Sequence, residues 1–344
     1  MKIGLVGYQG SGKSTLFEWL TGEAADPSLA HSGQMAMAAV PDERIERLCE
    51  IYQPKKVTRA SLEIQDTPGL SRDQEGNAAR LAMLREAGCL VCVVPQFTGA
   101  EAEPELSAFQ EDLMLADMEI VAGRIERMEE KKGKPLPKPE QEQLAFELET
   151  LRKVLEAMEA GTPLREDQLT PDEQKVTRAF RLLSEKPRMI LVNTADDETD
   201  LEKYEALSTE GMPVRAVSLS LQQELDAMDA EEREAFIEEM GIPTTDHDSI
   251  VRAIMEASGQ MLFFTAGDKE VRSWMIPKGS TAQEAAGEIH TDMARGFIRA
   301  EAMTCSDLFR LGSEREMKAQ NLVRREPKDY IVQDDDLLLF HFSV

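Results

Sequence analysis

Gly7-Tyr8-Gln9-Gly10-Ser11-Gly12-Lys13-Ser14 is a Gly-x-x-x-x-Gly-Lys-Ser run, and its reading decides the fold. It follows Lys2 to Val6, which reads as a short buried strand, and it opens Ser14 to Thr21, which reads as a helix. Glycines let the backbone close around an anion, several amides then point inward, and the helix N-terminus adds its dipole. In that strand, loop, helix setting, Lys13 is expected to bridge the β- and γ-phosphates and Ser14 to ligate Mg2+. Gly10, Ser11, Gly12 and Thr15 complete the expected phosphate cradle.

Working outward, Ala60 to Gln65 alternates as a strand and delivers Asp66-Thr67-Pro68-Gly69. Asp66 is placed to reach the metal's shell and the Gly69 amide to sense the γ-phosphate, so Lys13, Asp66 and Gly69 are the expected catalytic residues. Asp-x-x-Gly alone is a common turn; paired with the upstream loop it separates a switch protein from a small-molecule kinase. The next residue, Leu70, stands where Ras-like proteins place a water-orienting glutamine, and no histidine lies between His31 and His247 to replace it. Intrinsic hydrolysis is therefore expected to be slow. Asn193-Thr194-Ala195-Asp196, after the strand Met189 to Asn193, has the spacing of a base-reading loop, with Asn193, Thr194 and Asp196 as its contacts. Ser218-Leu219-Ser220, at the end of the strand-like Val214 to Leu219, is read as the second loop around the base, with Ser218 and Leu219 as its contacts.

The chain has 344 residues, 42% of them hydrophobic, which is material for two or three domains. A formal charge of −26 argues against a general electrostatic grip on nucleic acid or an anionic membrane, so any RNA contact must use local basic patches. The phosphate loop begins at once, without an apolar leader, and no later window offers a membrane span; a cytoplasmic protein is expected. Cys89 and Cys92 sit in an apolar strand running from Ala87 towards Phe97 and read as core rather than as a redox or zinc pair.

Between the strands ending near Phe97 and beginning near Arg188 the period changes. Met114, Met118, Val121, Ile125 and Met128 form one helical stripe, and Leu144, Leu148, Leu151, Leu155 and Met158 another. The Pro-rich turn between them predicts an antiparallel helical hairpin, a coiled coil, whose tip carries Lys131, Lys132, Lys134 and Lys138 with no acidic residue among them. That tip reads either as a solvated turn or as a contact for RNA or an acidic surface. From about Leu262 short strands return, Met261 to Ala266, Val271 to Ile276, Tyr330 to Val332 and Leu337 to Phe342, around a helix at Ala282 to Glu288, as in a compact α+β module. His290 is read equally as an RNA contact or a local cap.

These features together resemble the Obg-related YchF family, the Obg-like ATPases, over nearly the whole length. The resemblance rests on Val40-Pro41-Asp42-Glu43-Arg44-Ile45-Glu46-Arg47-Leu48, on Asp66 to Leu70, on Leu115-Ala116-Asp117-Met118-Glu119, and on C-terminal runs including Phe263-Phe264-Thr265-Ala266-Gly267, Ile289-His290-Thr291-Asp292 and Asp329-Tyr330-Ile331-Val332-Gln333-Asp334. It implies an α/β fold in three parts: a P-loop nucleotide domain of mostly parallel sheet (1–100 and 186–260), the inserted hairpin (101–185) and a ubiquitin-like TGS domain (261–344). It further implies hydrolysis of ATP, favoured over GTP, and association with ribosomes or ribosomal RNA, with the TGS domain as a second candidate surface. Four departures stand out. Gly10 replaces an asparagine, Ala30 falls at the switch threonine with Ser28 and Ser32 nearby, the stretch Ser71 to Asn77 is short, and Asp335 replaces a glycine. The alternative to a slow enzyme-switch is a nucleotide-gated adaptor with negligible turnover.

Overall fold

The computed structural model describes residues 1–30, 32–73, 77–99, 101–132, 137–162, 168–209, 211–240 and 246–343. The chain divides into two compact units, Met1–Ala36 with Ile64–Thr245, and Met37–Glu63 with Asp246–Val344.

The first seven strands are β1 (Lys2–Val6), β2 (Gln34–Ala39), β3 (Lys56–Thr58), β4 (Ser61–Asp66), β5 (Cys89–Pro95), β6 (Arg188–Asn193) and β7 (Val214–Val217). All but β3 form one sheet in the order β2-β4-β1-β5-β6-β7. β1, β5, β6 and β7 are mutually parallel. A parallel strand covered on both faces must be apolar throughout, and β5, Cys-Leu-Val-Cys-Val-Val-Pro, is buried at every position. Cys89 and Cys92 belong to that core, where burial pushes each thiol up to about 12. The register Val6↔Cys92, Pro95↔Asn193 and Asn193↔Val217 brings the carboxyl ends of four strands to one edge. Open parallel sheets bind ligands at that edge. Val217 ends β7 two residues earlier than expected, because Ser218 caps the following helix.

The first six helices are α1 (Lys13–Thr21), α2 (Glu43–Tyr52), which belongs to the second unit, α3 (Asn77–Leu84), α4 (Ala102–Lys132), α5 (Lys138–Glu159) and α6 (Pro171–Arg178). The two stripes meet as expected: Val121, Ile125 and Met128 of α4 share a core with Leu148, Leu151, Val154 and Met158. α4 does more than the hairpin reading foresaw, since Leu106, Phe109 and Leu113 on its first turns pack into the sheet's core. Asp117 marks the handover. It is fully buried, pairs with Arg85 at 2.6 Å and accepts from the amide and hydroxyl of Ser184 at 2.8 Å each, so its charge is compensated from three sides. Lys131, Lys132 and Lys138 are exposed; Lys134 lies outside the described residues.

Four helices, α7 (Glu202–Glu205), α8 (Leu219–Ala227), α9 (Ala230–Met240) and α10 (His247–Ala257), precede the strands β8 (Gln260–Ala266) and β9 (Glu270–Pro277). α11 (Ala282–Ile289), α12 (Thr291–Arg295), β10 (Phe297–Thr304), α13 (Cys305–Leu311), α14 (Glu314–Ala319), β11 (Arg324–Glu326) and β12 (Asp336–Phe342) follow. The second sheet runs β11-β10-β12-β8-β9-β3. The helix α11 lays Ala282, Ala285 and Ala286 on Phe263, Ala300, Leu338 and Phe340, a core of small residues facing large ones. The expected strand at Tyr330 to Val332 is corrected to a single bridge from Ile331 to Thr281. Tyr330 instead donates its hydroxyl at 2.8 Å to the buried Asp336, which also pairs with Arg324.

Several signature residues of the sequence are structural in this unit. Asp42 caps α2 through the Arg44 amide and holds the Arg44 guanidinium at 2.7 Å, while Arg44 reaches Asp334 at 3.2 Å and lies over the Phe264 ring. Asp335 accepts from the Ser306 hydroxyl and amide. His290 is the cap of α12, its Nδ1 accepting from the Asp292 amide at 3.2 Å.

Candidate nucleotide site

Between β1 and α1 the backbone turns through Gly10 (φ 76°) and Gly12 (φ 98°), a left-handed region that any other residue enters at a cost. Gly12 is the N-cap of α1 and supplies no side chain, so the first amides of α1 meet no capping group. Gly12 also has no room for a β-carbon, because the Asn193 amide nitrogen sits against it. The Asn193 amide donates to the Ser11 carbonyl at 3.3 Å and its oxygen accepts from the Leu219 amide at 3.2 Å. One buried side chain thereby ties the phosphate loop to both loops expected around the base.

Lys13 is 6% exposed, with Nζ donating to the Tyr8 carbonyl at 2.8 Å. Burial pulls its pKa down to about 8 against the opposing attraction of Asp66. Ser14 donates its hydroxyl to Asp66 Oδ2 at 2.7 Å. Asp66 Oδ1 is buried with no protein partner, and burial raises the carboxyl above its ordinary value. Thr67 is drawn inward and donates to the Leu5 carbonyl. At Gly69 a β-carbon would come within 2.8 Å of the Gln9 Cα and 2.9 Å of the Lys13 Nζ, so only glycine lets this turn lie on the loop.

Leu70 is clasped by two backbone bonds, its amide to the Gly7 carbonyl at 3.0 Å and its carbonyl from the Gln9 amide at 3.1 Å. Its side chain is 1% exposed and packs with Tyr8 and Leu84. The position where a water-orienting group was sought is a core position here. Ala30 ends a short turn at Pro27–Leu29 that Asp26 caps, and Ser28 and Ser32 are both exposed; Gln74 to Gly76 of the shortened stretch lie outside the described residues.

A cleft of about 660 Å³ joins these elements, lined by Gly10, Gly12, Lys13, Ser14 and Thr15 on one side and by Asn193, Thr194, Asp196 and Leu219 on the other. Ser11 and Ser218 stand behind it: Ser11 is buried within the loop, and Ser218 donates its hydroxyl to Asp196 Oδ1 while capping α8. Thr194 is buried and its hydroxyl has no protein partner. The cleft also includes Ser220 of the second base loop, and Phe97 and Gln223, which the sequence alone does not assign. The sequence reads as a buried strand up to Phe97, but β5 stops at Pro95 and leaves the ring 44% exposed. Gln223 lies four residues beyond Leu219 on α8, and that spacing was a usable signal.

Ser14 and Asp66 supply hard oxygen donors, and the orphaned Asp66 oxygen has an evident use in a metal's water shell. Among the described residues no group of three or more His, Cys, Asp or Glu could hold a metal ion. The donor set fits Mg2+, which keeps waters and substrate phosphates as most of its ligands.

Residues 2–131 match a family described as 50S ribosome-binding GTPase, and residues 261–343 match the YchF GTPase C-terminal family, described as a protein of unknown function. The ribosome-binding ATPase YchF of Bacillus subtilis (strain 168) is 33% identical, with 100% of each chain covered. That of Escherichia coli O157:H7 is 32% identical over 100% of this chain and 99% of its own, and Obg-like ATPase 1 of Oryza sativa subsp. japonica is 33% identical over 100% and 92%. The solved Schizosaccharomyces pombe YchF GTPase superposes with a TM-score of 0.81 at 26% identity, covering 99% of this chain and 97% of that one. With the phosphate loop, the Asp66 turn and end-to-end similarity in agreement, the chain belongs to the YchF family.

Proposed function

We propose that this cleft binds a purine nucleoside triphosphate with Mg2+ and that the chain hydrolyses it slowly, as a ribosome-associated switch working in the cytoplasm. The observation that carries the reading is the Ser14 to Asp66 hydrogen bond, with a second Asp66 oxygen left unpaired beside the buried Lys13. When bound, Mg2+ supplies charge neutralisation at the β- and γ-phosphates. Ser14 and Asp66 would hold it. Lys13, itself buried, meets the phosphate oxygens as a cation, where its charge is weakly screened. The Gly69 amide, pressed against the phosphate loop, donates to the terminal phosphate. The base lies between Asp196 and Phe97, against Thr194 and Leu219.

The three-part division into nucleotide domain (1–100, 186–260), hairpin (101–185) and TGS domain (261–344) remains our assignment. The ribosome contact is assigned to the lysine tip and the TGS domain. Resemblance to chains named ribosome-binding ATPase supports this partner and is our ground for preferring ATP to GTP. A second reading, an adaptor that binds nucleotide with negligible turnover, draws on Leu70, whose burial removes its side chain from the water path. Phosphate release measured with and without ribosomes separates the two. Turnover that rises with ribosomes and disappears in Lys13→Ala supports the switch; nucleotide binding without release under either condition supports the adaptor.

A further inference from the structure

A groove of about 480 Å³ lies on the first unit between α3 and the hairpin, away from the nucleotide cleft and unused by it. Its apolar surface comes from Leu81, Leu115, Met118 and Leu155, and its charges are the carboxylates of Asp112, Glu119 and Glu159, with no lining cation among the described residues. Leu115 is 51% exposed on a regular helix, where no local backbone need explains a leucine. It opens the signature Leu115-Ala116-Asp117-Met118-Glu119. Asp117 of that run is accounted for by its buried ion pair, whereas Leu115, Met118 and Glu119 face the groove.

We propose that this groove docks a basic amphipathic segment of a protein partner, with apolar side chains on Leu81, Leu115, Met118 and Leu155 and Lys or Arg groups at the carboxylate rim. The charge pattern selects this occupant. Three carboxylates without a cation repel a phosphate backbone and attract ammonium and guanidinium groups, whose aliphatic stems also match the floor. The groove is also wired to the phosphate loop. Leu70 lines it while its backbone is bonded to Gly7 and Gln9; Asn77 lines it while its side chain clasps both backbone groups of Ser71 at 2.9 and 2.8 Å. Asp112 accepts from the Tyr8 hydroxyl at 2.8 Å. Resting on the nucleotide reading given above, docking here is sensitive to what the phosphate loop holds.

The test uses the full chain and a fluorescent Leu/Lys peptide of helical spacing, read by anisotropy. Glu119→Lys with Glu159→Lys, and separately Leu115→Ser, are expected to weaken binding about tenfold each, while Glu142→Lys with Glu149→Lys, a charge change of equal size on α5, leaves it within about threefold. Equal losses from both charge pairs, or equal binding of a Ser/Lys peptide of the same charge, would mean a diffuse attraction and would overturn the proposal. Displacement of the peptide by an RNA oligonucleotide from the parent but not from Leu115→Ser would assign the groove to RNA and overturn it too. A non-hydrolysable triphosphate is expected to change peptide affinity at least about threefold. If that nucleotide binds the parent but leaves the peptide unaffected, the coupling fails; if it does not bind, the nucleotide reading itself fails while the peptide arms still judge the groove.

Discussion

Ser14 Oγ lies 2.7 Å from Asp66 Oδ2, across 52 residues of chain, and this one bond joins the start of α1 to the end of β4. It puts a hydroxyl and a carboxylate where a metal would need both. Asp66→Ala should leave triphosphate affinity without Mg2+ within about threefold of the parent, and should abolish most of the gain that Mg2+ gives, about tenfold or more. Calorimetry with and without Mg2+ reads both quantities. Equal Mg2+ enhancement in parent and variant would remove Asp66 from the metal site.

Lys13 gives a pH dependence with a definite sign. Burial lowers its pKa to about 8, so above that value the free protein carries neutral Lys13, whereas phosphate oxygens favour the charged form. Binding must then take up a proton, and affinity should be flat below about pH 7 and fall by up to about tenfold per pH unit well above pH 8. Titrations in buffers of different ionisation enthalpy count that proton directly. Rising affinity through the same range would contradict the role given to Lys13.

Leu70 invites the substitution Leu70→Gln, which would restore a water-orienting group if the side chain faced the phosphate. It faces the core. The variant should lose about 2–4 kcal/mol of stability, from lost apolar packing and a buried amide, and show no rise in phosphate release. A urea melt and a turnover assay are sufficient; faster release with undiminished stability would show that position 70 swings into the site.

The base loop is braced from two sides. Thr194 has no long stem to cover a base, yet Ser218 donates to Asp196 Oδ1 and Asn193 holds the same loop. Guanine offers a carboxylate two donors, adenine only its amino group. We therefore expect ATP and GTP to bind within about tenfold of each other, about 1.4 kcal/mol, and Ser218→Ala to weaken GTP about threefold to tenfold while sparing ATP. Competitive displacement of a fluorescent analogue measures this, and equal losses for both nucleotides would show that Asp196 does not read the base.

The sequence was most legible where backbone geometry demands particular residues. Gly10, Gly12 and Gly69 each occupy a conformation or a contact that excludes a side chain, so their spacing carried the loop and its switch directly. The stripes of α4 and α5 were legible because burial repeats with the helical period. What was missed depends on long-range partners. Phe97 looks like the strand before it, β10 and β11 exist through pairing with β12 and each other, and nothing near Arg44 in sequence announces Asp334. Leu70 was located correctly, but its burial follows from Tyr8 and Leu84, which no local pattern joins to it.

The buried Asp117 has a mechanical consequence. It pins α4 where that helix leaves the sheet, and the fifteen residues from there to Lys132 are continuous helix, about 22 Å of rigid rod. Val121, Ile125 and Met128 along the rod share a core with α5, so the two helices would move together as a lever with Asp117 as its fulcrum. A tilt of about 5° there, too small to break the pair with Arg85, sweeps the lysine-bearing end through about 2 Å. Asp112, one and a half turns before the fulcrum, is bonded to Tyr8 of the phosphate loop, so the short arm of the lever begins at that loop.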